Sequence, residues 1–256
     1  MNRVKRLFKH LRSENRCGVI AYVTCGDPDV ATTSRIIEEL ERAGADAIEL
    51  GIPFSDPIAD GPVIQAASQR ALQSGTTTND LFAIAREIRS KSEIPLIAFS
   101  YLNPILRYGR ERFAAAAIAA GIDGVLLTDQ PPESAQKLDG LANIFLLAPT
   151  SSDKRIAAID RASEGFVYYV STTGVTGARR DLDPYLLERL TEVRAKLRNP
   201  IAVGFGISRH EHYELLRDKC DAIVVGSAVV RAIADGDAAG APQRAGDVIR
   251  SILAPR

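Results

Sequence analysis

Short apolar runs alternate with longer amphipathic runs from one end of the chain to the other. The strand-like runs are 18–24, 47–50, 95–99, 124–127, 143–147, 166–170, 201–203 and 222–225. They are apolar nearly throughout, as strands covered on both faces must be. Helix-like runs at 30–43, 79–91, 110–120, 154–162, 184–197 and 210–217 separate them. This order builds a parallel sheet coated by helices. Eight strands in 256 residues match a single (β/α)8 TIM barrel, so the chain reads as one domain, 1–256. The competing architecture is an open, doubly wound sheet with a glycine-rich dinucleotide fingerprint after an early strand. The loop after the first run reads Cys25-Gly26-Asp27-Pro28-Asp29, which lacks that fingerprint.

The ends and the charge narrow the setting. Val4, Leu7, Phe8 and Leu11 recur at helical spacing, which predicts an N-terminal helix capping one end of the fold. Its apolar face is short for a helix lying on a membrane. The Ala/Gly-rich stretch 232–241 reads as a surface loop. Acidic and basic residues balance at 32 each, which argues against nucleic acid as a partner. Neither a transmembrane run nor a signal-peptide core is present, so a cytoplasmic location is expected. Cys17, Cys25 and Cys220 are odd in number and far apart, which suggests neither disulfides nor a zinc site and fits a reducing compartment.

In a barrel of this kind the active site lies where the strands end. The second strand carries Glu49 near its end. Alternation puts Glu49 on the face of Ala47, opposite Ile48 and Leu50. If Ile48 and Leu50 pack outward, Glu49 points inward, where burial raises a carboxyl pKa and lets it carry a proton at neutral pH. A Glu that simply pairs with an Arg is the plainer alternative. The loop that follows adds Asp56 and Asp60, and the fourth strand ends in Asp129. None of the seven lysines falls at a strand end, which disfavours a Schiff base. His210 and His212 open a helix with diverging side chains and read as surface residues, which disfavours a His-bound catalytic metal. Glycines punctuate the ends of the sixth, seventh and eighth strands, in Gly174-Val175-Thr176-Gly177, Gly204-Phe205-Gly206 and Gly226-Ser227. Such loops either turn the chain or let backbone amides approach a phosphate. The chemistry most available is proton transfer on a phosphorylated substrate.

The segment Ile48-Glu49-Leu50-Gly51-Ile52-Pro53-Phe54-Ser55-Asp56-Pro57-Ile58-Ala59-Asp60-Gly61-Pro62 resembles the signature of the tryptophan synthase α subunit family. Thr24 with Gly26-Asp27-Pro28, Tyr101 with Asn103-Pro104, and the three glycine loops match in order and spacing, so the resemblance spans nearly the whole chain. It implies retro-aldol cleavage of indole-3-glycerol phosphate to indole and glyceraldehyde 3-phosphate. By the family pattern, Glu49 is the acid and base, and Asp60 accepts a hydrogen bond from the indole N–H. Gly177, Phe205, Gly206, Gly226 and Ser227 match phosphate-binding positions. Tyr22, Tyr101, Leu126, Tyr168 and Phe205 match positions around the indole and glycerol parts, with core packing the alternative for each. Thr176 belongs to a lid over 172–183. Pro53, Asp56, Asn103 and Asp129 match the interface with a β subunit in an α–β–β–α heterotetramer. Pyridoxal phosphate is expected only in that partner, and no cofactor in this chain. Ala21, Cys25, Ser100 and Gln130 depart from the usual pattern, and Gln130 borders the expected interface. The resemblance also leaves open a stand-alone lyase that releases free indole, and a subunit that binds a phosphorylated ligand without catalysis.

Overall fold

A computed structural model describes residues 2–170, 184–204 and 206–254. Eight parallel strands close into a barrel in chain order: β1 (Gly18–Thr24), β2 (Ala47–Gly51), β3 (Leu96–Ser100), β4 (Gly124–Leu127), β5 (Ala142–Leu147), β6 (Val167–Val170), β7 (Ile201–Gly204) and β8 (Ala222–Val225). β8 returns to pair with β1, so no edge is left open. Three of the expected strand spans, 18–24, 124–127 and 222–225, keep their boundaries, four shift by one residue at one end, and 95–99 moves by one residue to 96–100.

Alternation sorts each strand into two packing faces. Ile20, Ala47, Ile97, Leu126, Ile144, Phe166, Ala202 and Ala222 fill the interior, small side chains making room for large ones. Val19, Ala21, Val23, Ile48, Leu50, Leu96 and Ala98 face outward against the helices. Helix α1 (Arg3–Ser13) belongs to the interior group. Val4, Phe8 and Leu11 are buried with it, and Phe8 packs on Phe166 with ring centroids 5.2 Å apart. The capping helix thus plugs the end where the strands begin.

A repeated device stitches that end. Asp46, Asp123 and Asp221 each stand one residue before an even-numbered strand, β2, β4 and β8. Each accepts the backbone N–H of the preceding strand: from Val19 at 2.8 Å, Leu96 at 3.0 Å and Ile201 at 2.8 Å. Each also binds arginine: Arg16 on Asp46, Arg3 and Arg89 on Asp123, and Arg194 on Asp221. The sequence reading did not find this pattern.

The outer layer holds α2 (Val30–Arg42), α3 (Pro62–Gln73), α4 (Thr78–Arg89), α5 (Leu102–Tyr108), α6 (Arg110–Ala120), α7 (Asp153–Ala162), α8 (Pro184–Lys196), α9 (His210–Leu216), α10 (Ser227–Ala234) and α11 (Ala241–Leu253). Four of these, α3, α5, α10 and α11, were not expected. Two of them have a reason to be hard to see. α3 buries only Ala67, Ser68 and Ala71, and α5 is short with Pro104 in its first turn. The expected loop 232–241 is shorter, 235–240, because residues 232–234 end α10 and Ala241 begins α11. Beside the apolar Ile249 and Ile252, the small residues Ala241, Ala245 and Gly246 let α11 lie close on α2. A Cβ at Gly246 would sit 2.8 Å from Glu39 Cγ.

Two side-chain expectations also change. His212 is buried rather than at the surface, with Nδ1 accepting the Ser208 N–H at 3.4 Å. Being two residues apart on α9, His210 turns away from it and reaches the Ile252 carbonyl. The three cysteines are free, but Cys17 and Cys220 are not far apart in space. Adjacent β1 and β8 bring their sulfurs to 3.8 Å.

Candidate active site at the C-terminal mouth of the barrel

Glu49 sits on the inward face of β2, level with Tyr22 of β1 and Ile97 of β3. Its exposure is 0 %, and neither carboxyl oxygen has a hydrogen-bond partner among the described residues. Desolvation alone pushes its pKa up to about 8. At neutral pH Glu49 therefore holds a proton, and no arginine pairs with it among the described residues.

Asp60 comes back to the mouth through the loop after β2, where its own N–H bonds to the Pro57 carbonyl at 3.0 Å. It is buried, but one oxygen, Oδ2, accepts the Tyr101 hydroxyl at 2.9 Å. Burial raises its pKa to about 6, against the opposing effect of that hydrogen bond. Asp60 is thus mostly ionised where Glu49 is mostly protonated. Burial pushes both carboxyls up, Glu49 further than Asp60 because Asp60 alone keeps a hydrogen-bond donor, and that difference separates a proton donor from a fixed charge.

Tyr101, at the N-terminus of α5, joins loop to carboxylate. Its oxygen accepts the Ala59 N–H at 2.9 Å while donating to Asp60, and its ring lies against Phe54 at 5.1 Å. Burial and the neighbouring Asp60 raise its pKa, which keeps the phenol a donor. Tyr22 is buried edge-on to Phe99 at 5.2 Å, with its hydroxyl 3.4 Å from Thr24 Oγ1. Tyr168 stands half-buried over β7, where glycine is required at 204: a Cβ there would lie 2.7 Å from the Tyr168 hydroxyl. Both phenols titrate above their ordinary value through burial first, and then through the nearby Asp60 and Glu49. Those shared electrostatic influences place the three tyrosines and two carboxyls around one space.

The whole-chain comparison agrees with this geometry. The family model for tryptophan synthase alpha chain matches residues 8–251. The chain belongs to the tryptophan synthase alpha chain family. A tryptophan synthase alpha chain from Solibacter usitatus is 53% identical over 239 residues, covering 91% of this chain and 90% of that one. The structure of tryptophan synthase subunit alpha from Legionella pneumophila superposes with a TM-score of 0.89 at 35% identity, covering 98% of this chain and 97% of the other. A chain from the tryptophan synthase a2b2 complex of the hyperthermophile Pyrococcus furiosus gives a TM-score of 0.87 at 40% identity, covering 92% and 97%.

The remaining family positions fall as follows. Gly226 precedes α10 and Ser227 begins it, and no side chain caps that helix, so the first-turn amides face the mouth without a side-chain acceptor. Gly206 has a positive φ of 65°, which suits glycine. Phe205, Thr176, Gly177 and the lid segment 172–183 lie outside the described residues. Leu126 is fully buried in the interior layer with Ile97 and Ile144, which is the core-packing alternative. On the rim, Asp56, Asn103 and Asp129 are exposed, and Pro53 is buried. Asp129 also accepts the Leu102 N–H at 2.7 Å, closing the start of α5.

Sequence reasoning missed Phe99 and Phe54, which wall Tyr22 and Tyr101. Phe99 was reachable, because it is two residues after inward-facing Ile97 on the same strand. Also missed was the pairing of buried Asp27 with Arg70 at 2.7 and 2.8 Å, which ties the loop after β1 to α3. No group of three His, Cys, Asp or Glu side chains is arranged to hold a metal among the described residues. Among them, too, no helix is long and apolar enough to cross a membrane.

Proposed function

We propose that Glu49 carries the proton and Asp60 supplies the fixed negative charge in the reaction of this lyase, cleavage of indole-3-glycerol phosphate to indole and glyceraldehyde 3-phosphate. Glu49 gives its proton to the ring carbon that bears the side chain, and positive charge develops on the ring nitrogen. Asp60 Oδ1, left free by the Tyr101 bond to Oδ2, accepts the ring N–H and stabilises that charge. The Glu49 carboxylate then removes the proton from the hydroxyl next to the ring. The carbon–carbon bond breaks, its electrons neutralise the ring nitrogen, and an aldehyde forms. Glu49 ends protonated, ready for the next turnover.

Because the indole ring is the electron sink, the chain needs no cofactor of its own for this step. Tyr22, Tyr101 and Tyr168 enclose the substrate, with Leu126 beneath it in the core. The phosphate is held by amides at Gly206, Gly226 and Ser227, together with Gly177 and Phe205, and Thr176 contributes from the loop after β6. The rim residues Pro53, Asp56, Asn103 and Asp129 belong to the surface that meets a β subunit in an α–β–β–α assembly, and that partner carries pyridoxal phosphate. The setting is cytoplasmic.

The observation that supports this reading best is Glu49 itself, buried, unpartnered and with a pKa of about 8 beside an ionised Asp60. An indole-release assay on Glu49→Gln tests it. The variant is expected to bind substrate and to lose on the order of 10²–10⁴-fold in turnover. Near-normal turnover would remove Glu49 from the chemistry.

A further inference from the structure

The charges of this chain cancel overall, yet one place gathers positive charge without acids. Helix α1 contains Arg3, Lys5, Arg6, Lys9, His10 and Arg12 and no carboxylate. Arg3 and Arg6 pair with Glu93, and His10 lies 3.3 Å from Glu14. Lys5, Lys9 and Arg12 have no acidic partner among the described residues. Their spacing of four and then three puts them on one stripe of the helix.

A second element faces that stripe. Just before β7, Arg198 likewise has no acidic partner among the described residues. The nearby carboxylates are engaged elsewhere. Asp160 accepts the backbone N–H groups of Arg198 and Asn199 and the Asn199 side-chain amide, at 3.0–3.2 Å. Glu164 pairs with Lys137 at 2.9 Å. Between the stripe and Arg198 lies a cleft of about 250 Å³ whose wall includes Phe8. It opens at the end where the strands begin, so it is separate from the mouth that holds Glu49.

We propose that this cleft is a binding site for a compact polyanion, a molecule carrying a di- or triphosphate group. Four cations converge from two elements, and none of them forms an ion pair among the described residues. A single exposed ion pair contributes little, so a singly charged ligand gains little here. A short polyphosphate engages all four at once, and several charge-assisted bonds act together. The cleft is smaller than most ligand pockets, which fits the polyphosphate group itself better than a large organic body. A nucleic acid strand needs a longer basic track than one small cleft supplies.

Titration calorimetry of the full-length protein with inorganic tripolyphosphate at low salt tests the assignment, with glycerol 3-phosphate present in excess to fill the mouth. One equivalent is expected to bind, and binding should weaken at least about tenfold when salt rises from roughly 50 to 300 mM. The double variant Lys9→Glu/Arg198→Glu should bind at least about tenfold more weakly, with indole release unchanged. Lys9→Gln/Arg198→Gln, which removes charge without reversing it, covers the case in which the first variant fails to fold. Unsaturable uptake would mean an adventitious ion only and would overturn the site. So would binding that the variants leave intact, no binding at millimolar probe, or equal competition by a short DNA duplex.

Discussion

Glu49 is costly where it stands, and the cost depends on pH. Its carboxyl titrates near 4.5 when unfolded and at about 8 when folded. Folding therefore favours the protonated form. The stability this confers is complete below about pH 4.5 and is lost as pH rises through about 8. At full titration the loss is on the order of 5 kcal/mol. Glu49→Gln cannot titrate, so its urea midpoint should change less between pH 6 and 9 than that of the unsubstituted protein. Equal slopes would place Glu49 in water. The same two carboxyls set the activity profile. In the proposed reaction Asp60 acts ionised and Glu49 protonated, so kcat/KM should rise through about 6 and fall through about 8. Tyr101→Phe removes the donor that holds the Asp60 pKa down, and it strands the Ala59 N–H. The acid limb should move upward and the alkaline limb stay in place. Activity should fall roughly tenfold, the scale of one lost charge-assisted hydrogen bond. A uniform drop with an unmoved profile would reduce Tyr101 to a packing residue.

At the scale of elements, the aspartates at the closed end predict a stability effect separated from chemistry. Asp123 is 5 % exposed, accepts the Leu96 N–H and binds Arg3 and Arg89. Asp123→Ala strands the Leu96 N–H and takes one partner from each arginine, Arg3 keeping Glu93 and Arg89 keeping the Gly121 and Ser92 carbonyls, which should cost about 1–3 kcal/mol in urea unfolding. Indole release per folded molecule should hold, because Asp123 precedes β4 and lies at the opposite end from the mouth. A loss of turnover at unchanged stability would contradict that separation. These aspartates mark what was legible in the chain and what was not. Strand alternation placed Ala47 and Glu49 inward correctly, because period-two patterns survive in a sheet buried on both sides. Asp46-Ala47, Asp123-Gly124 and Asp221-Ala222 form a repeat that the sequence carries openly, but its meaning appears only when neighbouring strands lie side by side. Helix α3 was lost because it buries only Ala67, Ser68 and Ala71 and so carries little apolar signal. His212 and the Cys17–Cys220 contact depended on which way α9 turned and on closure of β8 onto β1. The mouth was legible where residues follow strand ends, as with Glu49 and Tyr101. It was not legible where aromatic walls such as Phe54 come from a loop.

For the whole molecule, the open question is how the mouth connects to a second subunit. Ile58 is 82 % exposed on the loop that delivers Asp60, and Leu106 is 51 % exposed on α5, whose first residue is held by Asp129. Exposed Asp56 and Asn103 lie on the same two segments. Large apolar side chains in water beside a polar rim are the composition of a docking face. The segments that carry this rim also carry Asp60 and Tyr101, so covering the rim restrains both groups. A β subunit that orders the loop would fix the Asp60–Tyr101 bond and raise turnover, since misplacement by a fraction of an ångström is expensive in catalysis. Adding the β subunit should therefore increase indole release well above the rate of the chain alone. Leu106→Asp should keep the rate of the isolated chain within about twofold, because Leu106 touches neither carboxyl, and should abolish the increase by burying a charge in the contact. If the partner raised turnover equally in the Leu106→Asp protein, the face would lie elsewhere on the barrel. If it raised neither, the chain would act alone and release its indole to solvent.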